Sequence, residues 1–233
     1  MKIIALCCYR DYNVTPLHKH LEPYVDGMIF MADQSMFGTS ALYLSVQPNV
    51  TVFSRQSQNK APFAHEGQNR RLLLQEAEDQ GADWVLCLDA DERMELNFLK
   101  ELPKLCAKAS RPIYTVRVRD IWNQDGTNYR TDGIWGKKRK AVLFPLPNKD
   151  IYRLVPGALH QPWIHSEGQH VEDLDFNLYH FGSMTPLMRE DRVKKHNDAD
   201  PEKVWQRIGY DYLKDETGLT TEVIPNHRLW YAV

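Results

Sequence analysis

The sequence predicts an α/β fold with a mostly parallel central sheet flanked by helices and a short helical C-terminal extension. Three observations predict it. Uninterrupted apolar runs such as Ile3–Tyr9 and Gly27–Ala32 suit strands buried on both faces, where no alternation with polar residues is needed. Segments with helical periodicity separate these runs, giving a strand-helix-strand opening. One run, Trp84–Leu88, breaks off into Asp89-Ala90-Asp91-Glu92, placing carboxylates at the end of a central strand, where open α/β sheets hold their ligands.

Each element has its own warrant. After the first strand, residues 14 to 24 carry Leu17, Leu21 and Tyr24 at helical spacing, and Gly27–Ala32 follows as the second strand. Val50–Phe53 reads as the third. His65–Gln80 is helical, with Leu72, Leu73, Leu74 and Ala77 apolar and Gly81 as its stop. Leu96–Lys108 is the next helix, Pro112–Val118 alternates as a strand, and a polar, aromatic loop runs from Trp122 to Trp135. A strand with a basic entry covers Lys137–Phe144, whereas Leu159–His170 has no regular period. From Arg189 the pattern is helical and highly charged, punctuated by Pro201, Gly218 and Pro225. The division expected is 1–185 for the main domain, in two halves (1–95 and 96–185), followed by the extension at 186–233.

The chain has 233 residues, enough for one α/β domain with a substantial core. With 42% hydrophobic, 26% charged and 11% aromatic residues it is a globular sequence, neither disordered nor fibrous. A net charge of −2 gives no global attraction to a polyanion, which argues against nucleic acid as a partner and leaves local charges or a metal to capture phosphate. Cys7, Cys8, Cys87 and Cys106 form no C-x-x-C pair and sit mainly in apolar runs, so reduced structural thiols and a cytoplasmic location are expected. No stretch approaches the ~20 apolar residues of a membrane span, which leaves peripheral contact as the expected mode of any membrane association.

Read from the residues, Asp89 and Asp91 lie two apart, so an extended segment turns both to one side, where they can face one hard cation, Mg2+ or Mn2+. The plain alternative is a solvated strand end or a helix N-cap with Glu92 in the first turn. Lys137–Lys140 and the group Arg189, Arg192, Lys194 and Lys195 could close over a diphosphate or be solvated faces. Trp122, Trp135 and Trp163 suit sugar stacking or simple packing.

Taken in order, Ile3–Asp11, Asp26–Thr39, Glu66–Arg71 and Trp84–Glu92 resemble successive blocks of the family 2 glycosyltransferases, which have the GT-A nucleotide-binding fold. The stretch Leu88-Asp89-Ala90-Asp91-Glu92-Arg93 is similar to that family's D-A-D-E-R form of the D-x-D. Ala32-Asp33-Gln34-Ser35-Met36-Phe37-Gly38-Thr39 keeps the second Asp, the Ser, the Gly and the Thr of its Asp-Asp-Gly-Ser-x-Asp-Gly-Thr block and lacks the first and third acids. Arg10-Asp11 stands where the family has an Asn-Glu-like pair. The resemblance implies a donor nucleotide, with a UDP-sugar foremost, lined by Tyr9, Arg10 and Asp11. It implies a base contact at Asp33, Arg70 near the diphosphate or base, Asp89 on the ribose and metal-bound water, and Asp91 on the metal. His180, in Asn177-Leu178-Tyr179-His180-Phe181-Gly182, would complete the metal shell, with a core histidine as the alternative.

The same resemblance implies inverting transfer of a sugar to an acceptor hydroxyl in polysaccharide, lipopolysaccharide or related glycan assembly, on a glycan or lipid-linked acceptor. Such a transfer needs a carboxylate base. Glu172-Asp173 resembles the family's Glu-Asp pair, making Asp173 the first expectation and Glu172 the second; Asp132, in the Tyr129–Gly133 loop, is a third. A nucleotidyltransferase would carry a Gly-rich loop after the first strand, and no glycine occurs between Tyr9 and Gly27. The remaining alternatives are a non-catalytic nucleotide-sugar or glycan-binding module and a transferase acting on modified nucleic acid.

Overall fold

The structure is a computed structural model, and it describes residues 1–10, 12–33, 39–55, 65–147 and 162–231. Its elements in chain order are β1 (Ile3–Tyr9), α1 (Thr15–Leu21), β2 (Gly27–Asp33), α2 (Thr39–Ser45), β3 (Val50–Arg55), α3 (Glu66–Asp79), β4 (Trp84–Cys87), β5 (Glu92–Met94), α4 (Leu96–Cys106), β6 (Ile113–Asp120), β7 (Asn128–Arg130), β8 (Arg139–Pro145), β9 (Val171–His180), α5 (Pro186–Ala199) and β10 (Thr221–Val223).

Eight strands form one sheet in the order β3-β2-β1-β4-β8-β6-β9-β5, and β10 pairs with β7 in a small second sheet. The first four are mutually parallel. Beyond them β8 is antiparallel to β4 and to β6, β9 is parallel to β6, and β5 is antiparallel to β9. The sheet is therefore mixed, and the mostly parallel expectation holds for its first half. The short turn after β4 leads into β5, which pairs with β9 at the far edge and not with β4.

Alternation along β1 and β2 builds a core on each face. Ile3, Ala5, Cys7, Met28 and Phe30 pack with Leu17 and Leu21 of α1 and Phe98, Leu99 and Leu102 of α4. Ile4, Leu6, Ile29 and Met31 pack with Leu73, Leu74 and Ala77 of α3 and with Trp163. Both strands are buried because both faces are covered, which is why their sequences show no polar alternation. Gly81 ends α3 as expected: its φ is +73° and its N–H reaches the Glu78 carbonyl while Ala82 N–H reaches that of Ala77, a Schellman closure. All four cysteines are free, and Cys7, Cys87 and Cys106 are buried. No helix among the described residues is long and apolar enough to cross a membrane.

The extension departs from the helical expectation. Only α5 is a long helix; after it come short 3-10 turns and strand β10. Val193, Tyr210 and Leu213 pack on Trp122 and Trp135, and Ile224 packs on Ile121, Tyr129 and Tyr179, so the extension shares a core with the body. Arg130 lies over both Trp122 and Trp135, and Arg189 lies over Trp122 from the other segment.

Candidate functional site at the carboxyl edge of the sheet

The pairings make β1, β2, β4, β6 and β9 run in one direction, so their carboxyl ends share one edge of the sheet, while β5 and β8 run the other way and begin there. At that edge stand Arg10 after β1, Asp33 at the end of β2, Asp89 and Asp91 after β4, Asp120 at the end of β6, His180 at the end of β9 and Lys140 near the start of β8. Charged groups gather there because a buried strand that emerges from the core exposes its next residues together with its neighbours'.

Asp89 and Asp91 do not lie along one extended segment. Glu92 N–H donates to the Asp89 carbonyl at 3.0 Å, closing a turn, and the Glu92 carboxylate accepts from Asp89 N–H at 2.7 Å. The turn sends the two aspartates to different partners. Lys140 Nζ donates to Asp89 Oδ2 at 2.6 Å and to both Glu92 oxygens at 2.8 and 2.6 Å. Arg70 Nη2 lies 3.5 Å from Asp89 Oδ1 and 2.6 Å from Glu66, with its guanidinium over the Trp163 ring. Burial acts to raise the pKa of Asp89, but Lys140 and Arg70 hold it well below the usual carboxylate range. For Glu92 burial wins and raises the pKa, against the pull of Lys140.

Asp91 faces His180 instead, with Oδ2 3.2 Å from Nε2. The other ring nitrogen, Nδ1, is 2.7 Å from Asp120 Oδ1, and Asp120, almost fully buried, also accepts from Lys138 Nζ at 2.9 Å. Arg192 of α5 reaches the same carboxylate at 3.8 Å and donates to Ser183 Oγ at 3.0 Å. The backbone fixes the geometry: His180 pairs with Asp120 in β6 and with Glu92 in β5, and Phe181 N–H donates to the Asp91 carbonyl at 2.8 Å. Gly182 leaves space beside the pair, since a Cβ there would lie 2.7 Å from Asp91 Oδ2 and 2.9 Å from His180 Nε2.

Burial disfavours the imidazolium, yet Asp91 and then Asp120 outweigh it against the repulsion of Arg192 and push the His180 pKa up to about 9. A histidine with a raised folded pKa adds stability in full below its unfolded value near 6.5 and loses it as pH rises through about 9. Denaturant unfolding with chelator present should therefore show stability falling between those pH values by up to about 3 kcal/mol, a fall that His180→Gln removes. An unchanged profile in that variant would contradict the assignment.

Neither a family model nor a curated protein matches the sequence. Solved structures do match. TarS 1–349 from S. aureus in complex with UDP-GlcNAc aligns with a TM-score of 0.55 and 14% identity, over 93% of this chain and 71% of that one. Its complex with UDP gives 0.53 and 14%, over 93% and 70%. A longer S. aureus TarS structure gives 0.55 and 13%, over 91% of this chain and 41% of that one. The fold is of the GT-A glycosyltransferase type.

This GT-A sheet brings Arg10, Asp33, Arg70, Asp89, Asp91 and His180 to one edge. Arg10 donates to the Asp33 carbonyl at 3.4 Å, and its guanidinium is 4.0 Å from Asp33 Oδ2. Asp33 Oδ1 is buried and has no hydrogen-bond partner among the described residues. Tyr9 turns inward, edge-on to Phe30, which makes it a core residue and not a lining one. Asp11, Gln34–Gly38 and His160 lie outside the described residues. Trp122, Trp135 and Trp163 are buried, which removes them as sugar-stacking surfaces.

Each of the three carboxylates expected as general base is held by a cation of its own. Asp173 lies seven residues before His180 in β9, about 20 Å at strand rise. It accepts from Thr115 and pairs with Arg139 at 3.1 Å. Arg139 and Lys140 are consecutive in a strand, so Asp173 and Asp89 are held on opposite faces. Glu172 pairs with Lys108 at 2.5 Å, and Arg130 grips both oxygens of Asp132 at 2.7 and 2.8 Å. Asp173 and Glu172 thus pair with cations toward the start of β9, away from the edge where Asp91 and His180 meet, while Asp132 is held by Arg130 in its own loop. Asp173→Asn should accordingly leave donor turnover within about twofold, the usual range for an exposed substitution, and a large loss would restore it as the base.

Reading the sequence missed Asp120. The strand was expected to stop at Val118, but Val116, Val118 and Asp120 share one face, so an acid at the end of an alternating strand was the available signal. Lys140 was seen only as part of a basic run; its partners are distant in sequence and become visible only when β8 lies beside β4.

Proposed function

We propose that the chain is a nucleotide-sugar-dependent glycosyltransferase that binds a UDP-sugar across this edge and transfers the sugar, with inversion, to an acceptor hydroxyl whose proton passes to a carboxylate base, in glycan assembly. The observation that carries the reading is the edge itself. An acceptor at Asp33 Oδ1, buried and unpartnered among the described residues, ends β2 two strands from β4, after which Asp89 and Asp91 follow, roughly 10 Å away at the usual strand spacing. That is the reach from the base to the diphosphate of an extended nucleotide. TarS 1–349, of the same fold, has been solved with UDP-GlcNAc and with UDP, which makes UDP-GlcNAc the first donor to test and UDP the first nucleotide.

In this reading Asp33 accepts an N–H of the base, Asp89 meets a ribose hydroxyl, and Arg70 offers charge to the diphosphate. A divalent cation fits Asp91 and His180. Gly182 leaves room there that any Cβ would fill, and Asp120 on Nδ1 fixes the ring so that Nε2 faces the space, the usual support for a metal-bound histidine. Among the described residues no group of three His, Cys, Asp or Glu is set around one point. The protein thus supplies a carboxylate and an imidazole, a donor set that favours Mn2+ over Mg2+. The cation would supply Lewis-acid stabilisation of the leaving diphosphate. Asp89 is not counted as a ligand, because Lys140 and Arg70 already occupy its oxygens.

The test is release of UDP from UDP-GlcNAc and other UDP-sugars over a panel of glycan and lipid-linked acceptors, with manganese or with chelator. Acceptor-stimulated, metal-dependent release supports the reading. Saturable UDP binding with no release from any donor would favour the non-catalytic module.

A further inference from the structure

Beyond the donor site, one surface loop has a construction that needs explaining. Between α5 and Tyr210, the segment Pro201–Gly209 exposes Val204 (67%), Trp205 (48%) and Ile208 (78%), three apolar side chains within five residues. Looseness does not cause this exposure. Asp200, itself 3% exposed, accepts from the backbone N–H groups of Val204, Trp205 and Gln206 at 2.7, 3.1 and 3.1 Å and from the Tyr210 hydroxyl at 2.8 Å. Lys203 holds a left-handed backbone, with φ of +53°. Tyr210 is anchored in the cluster with Trp122, Trp135, Val193 and Leu213, so the loop is tied to the body at its base. A buried carboxylate thus fixes a loop that points apolar groups into water.

We propose that this loop is a membrane-docking element that inserts Trp205, Ile208 and Val204 into the interfacial layer of an anionic bilayer. Lys203 and Arg207, both exposed, flank the apolar residues, with Glu202 as the loop's one acid, so the tip offers positive charge to lipid headgroups. Tryptophan beside aliphatic and basic residues is the composition that suits the boundary between headgroups and acyl chains. A second copy of the chain fits less well. Three side chains on one loop fall short of the ~800 Å2 per partner that a stable protein interface covers. Because the loop is already fixed, insertion requires little further ordering of the backbone.

Co-sedimentation of the full chain with vesicles tests this, using phosphatidylglycerol mixed equally with phosphatidylcholine against phosphatidylcholine alone. The wild type should pellet with the anionic vesicles and be released by salt. The double substitution Trp205→Ala, Ile208→Ala should weaken binding by about tenfold or more, with an unchanged melting temperature. Lys203→Gln with Arg207→Gln should remove the preference for anionic vesicles. Failure of the wild type to pellet would overturn the proposal, as would equal binding by the double variant. So would self-association of the wild type, without vesicle binding, that the double variant loses, which would assign the loop to a second copy. None of these readouts depends on the donor site.

Discussion

Asp91→Ala is expected to lower donor affinity in manganese by more than about 100-fold, to the level measured in chelator, beyond the 10- to 100-fold typical of substitutions that only orient a ligand. The aspartate is one of two protein groups facing the space beside Gly182, and an imidazole alone holds a hard cation poorly. Its side chain is a quarter exposed on a turn, so the fold should persist, with a melting temperature lowered by the loss of its pairing with His180. Asp120→Asn should fall in the intermediate range, because it leaves both facing groups in place and removes only the carboxylate that sets the His180 ring. Calorimetric titration of UDP with and without manganese checks the series. Equal metal dependence in all three proteins would remove Asp91 from the site.

The second large effect is on stability. Lys140→Met should destabilise the fold by about 3–5 kcal/mol, because it strands the Asp89 and Glu92 carboxylates that Lys140 now pairs. For a domain of this size that corresponds to a drop in melting temperature of roughly 10 °C. The loss should shrink at low pH. Burial already raises the Glu92 pKa, and without Lys140 the Asp89 charge raises it further, so the variant relieves the repulsion by taking up a proton as pH falls. Lys140→Arg should recover part of the stability by restoring the charge. A Lys140→Met protein that melts with the wild type would show that the ion pairs contribute nothing net.

The first half of the fold was legible because its strands are buried on both faces and therefore uninterrupted in sequence. Ile3–Tyr9, Gly27–Ala32 and Trp84–Leu88 mark β1, β2 and β4 directly, and the abrupt change at Asp89 marks the site. The second half was harder for a physical reason. In β9, Glu172, Asp173 and Asp175 form ion pairs with Lys108, Arg139, Arg117 and Arg228, so its acids look like chemistry while they serve to pair the strand's exposed end. The alternation of Leu174, Phe176, Leu178 and His180 was present but masked by those charges. Conversely, the partners that define the site, Lys140 with Asp89 and Asp120 with His180, are 51 and 60 residues apart, and no local pattern encodes such pairs. The D-x-D spacing itself misled on geometry, since the turn closed by Glu92 separates the two carboxylates that extended backbone would have aligned.

The most direct measurement is calorimetric titration of UDP into the folded protein in manganese, repeated in chelator and with Asp33→Asn. The account predicts saturable binding in manganese, strong weakening in chelator, and loss of the preference for UDP over other nucleoside diphosphates in Asp33→Asn. A folded protein that ignores UDP with manganese present would contradict the claim that this edge is a nucleotide-sugar site.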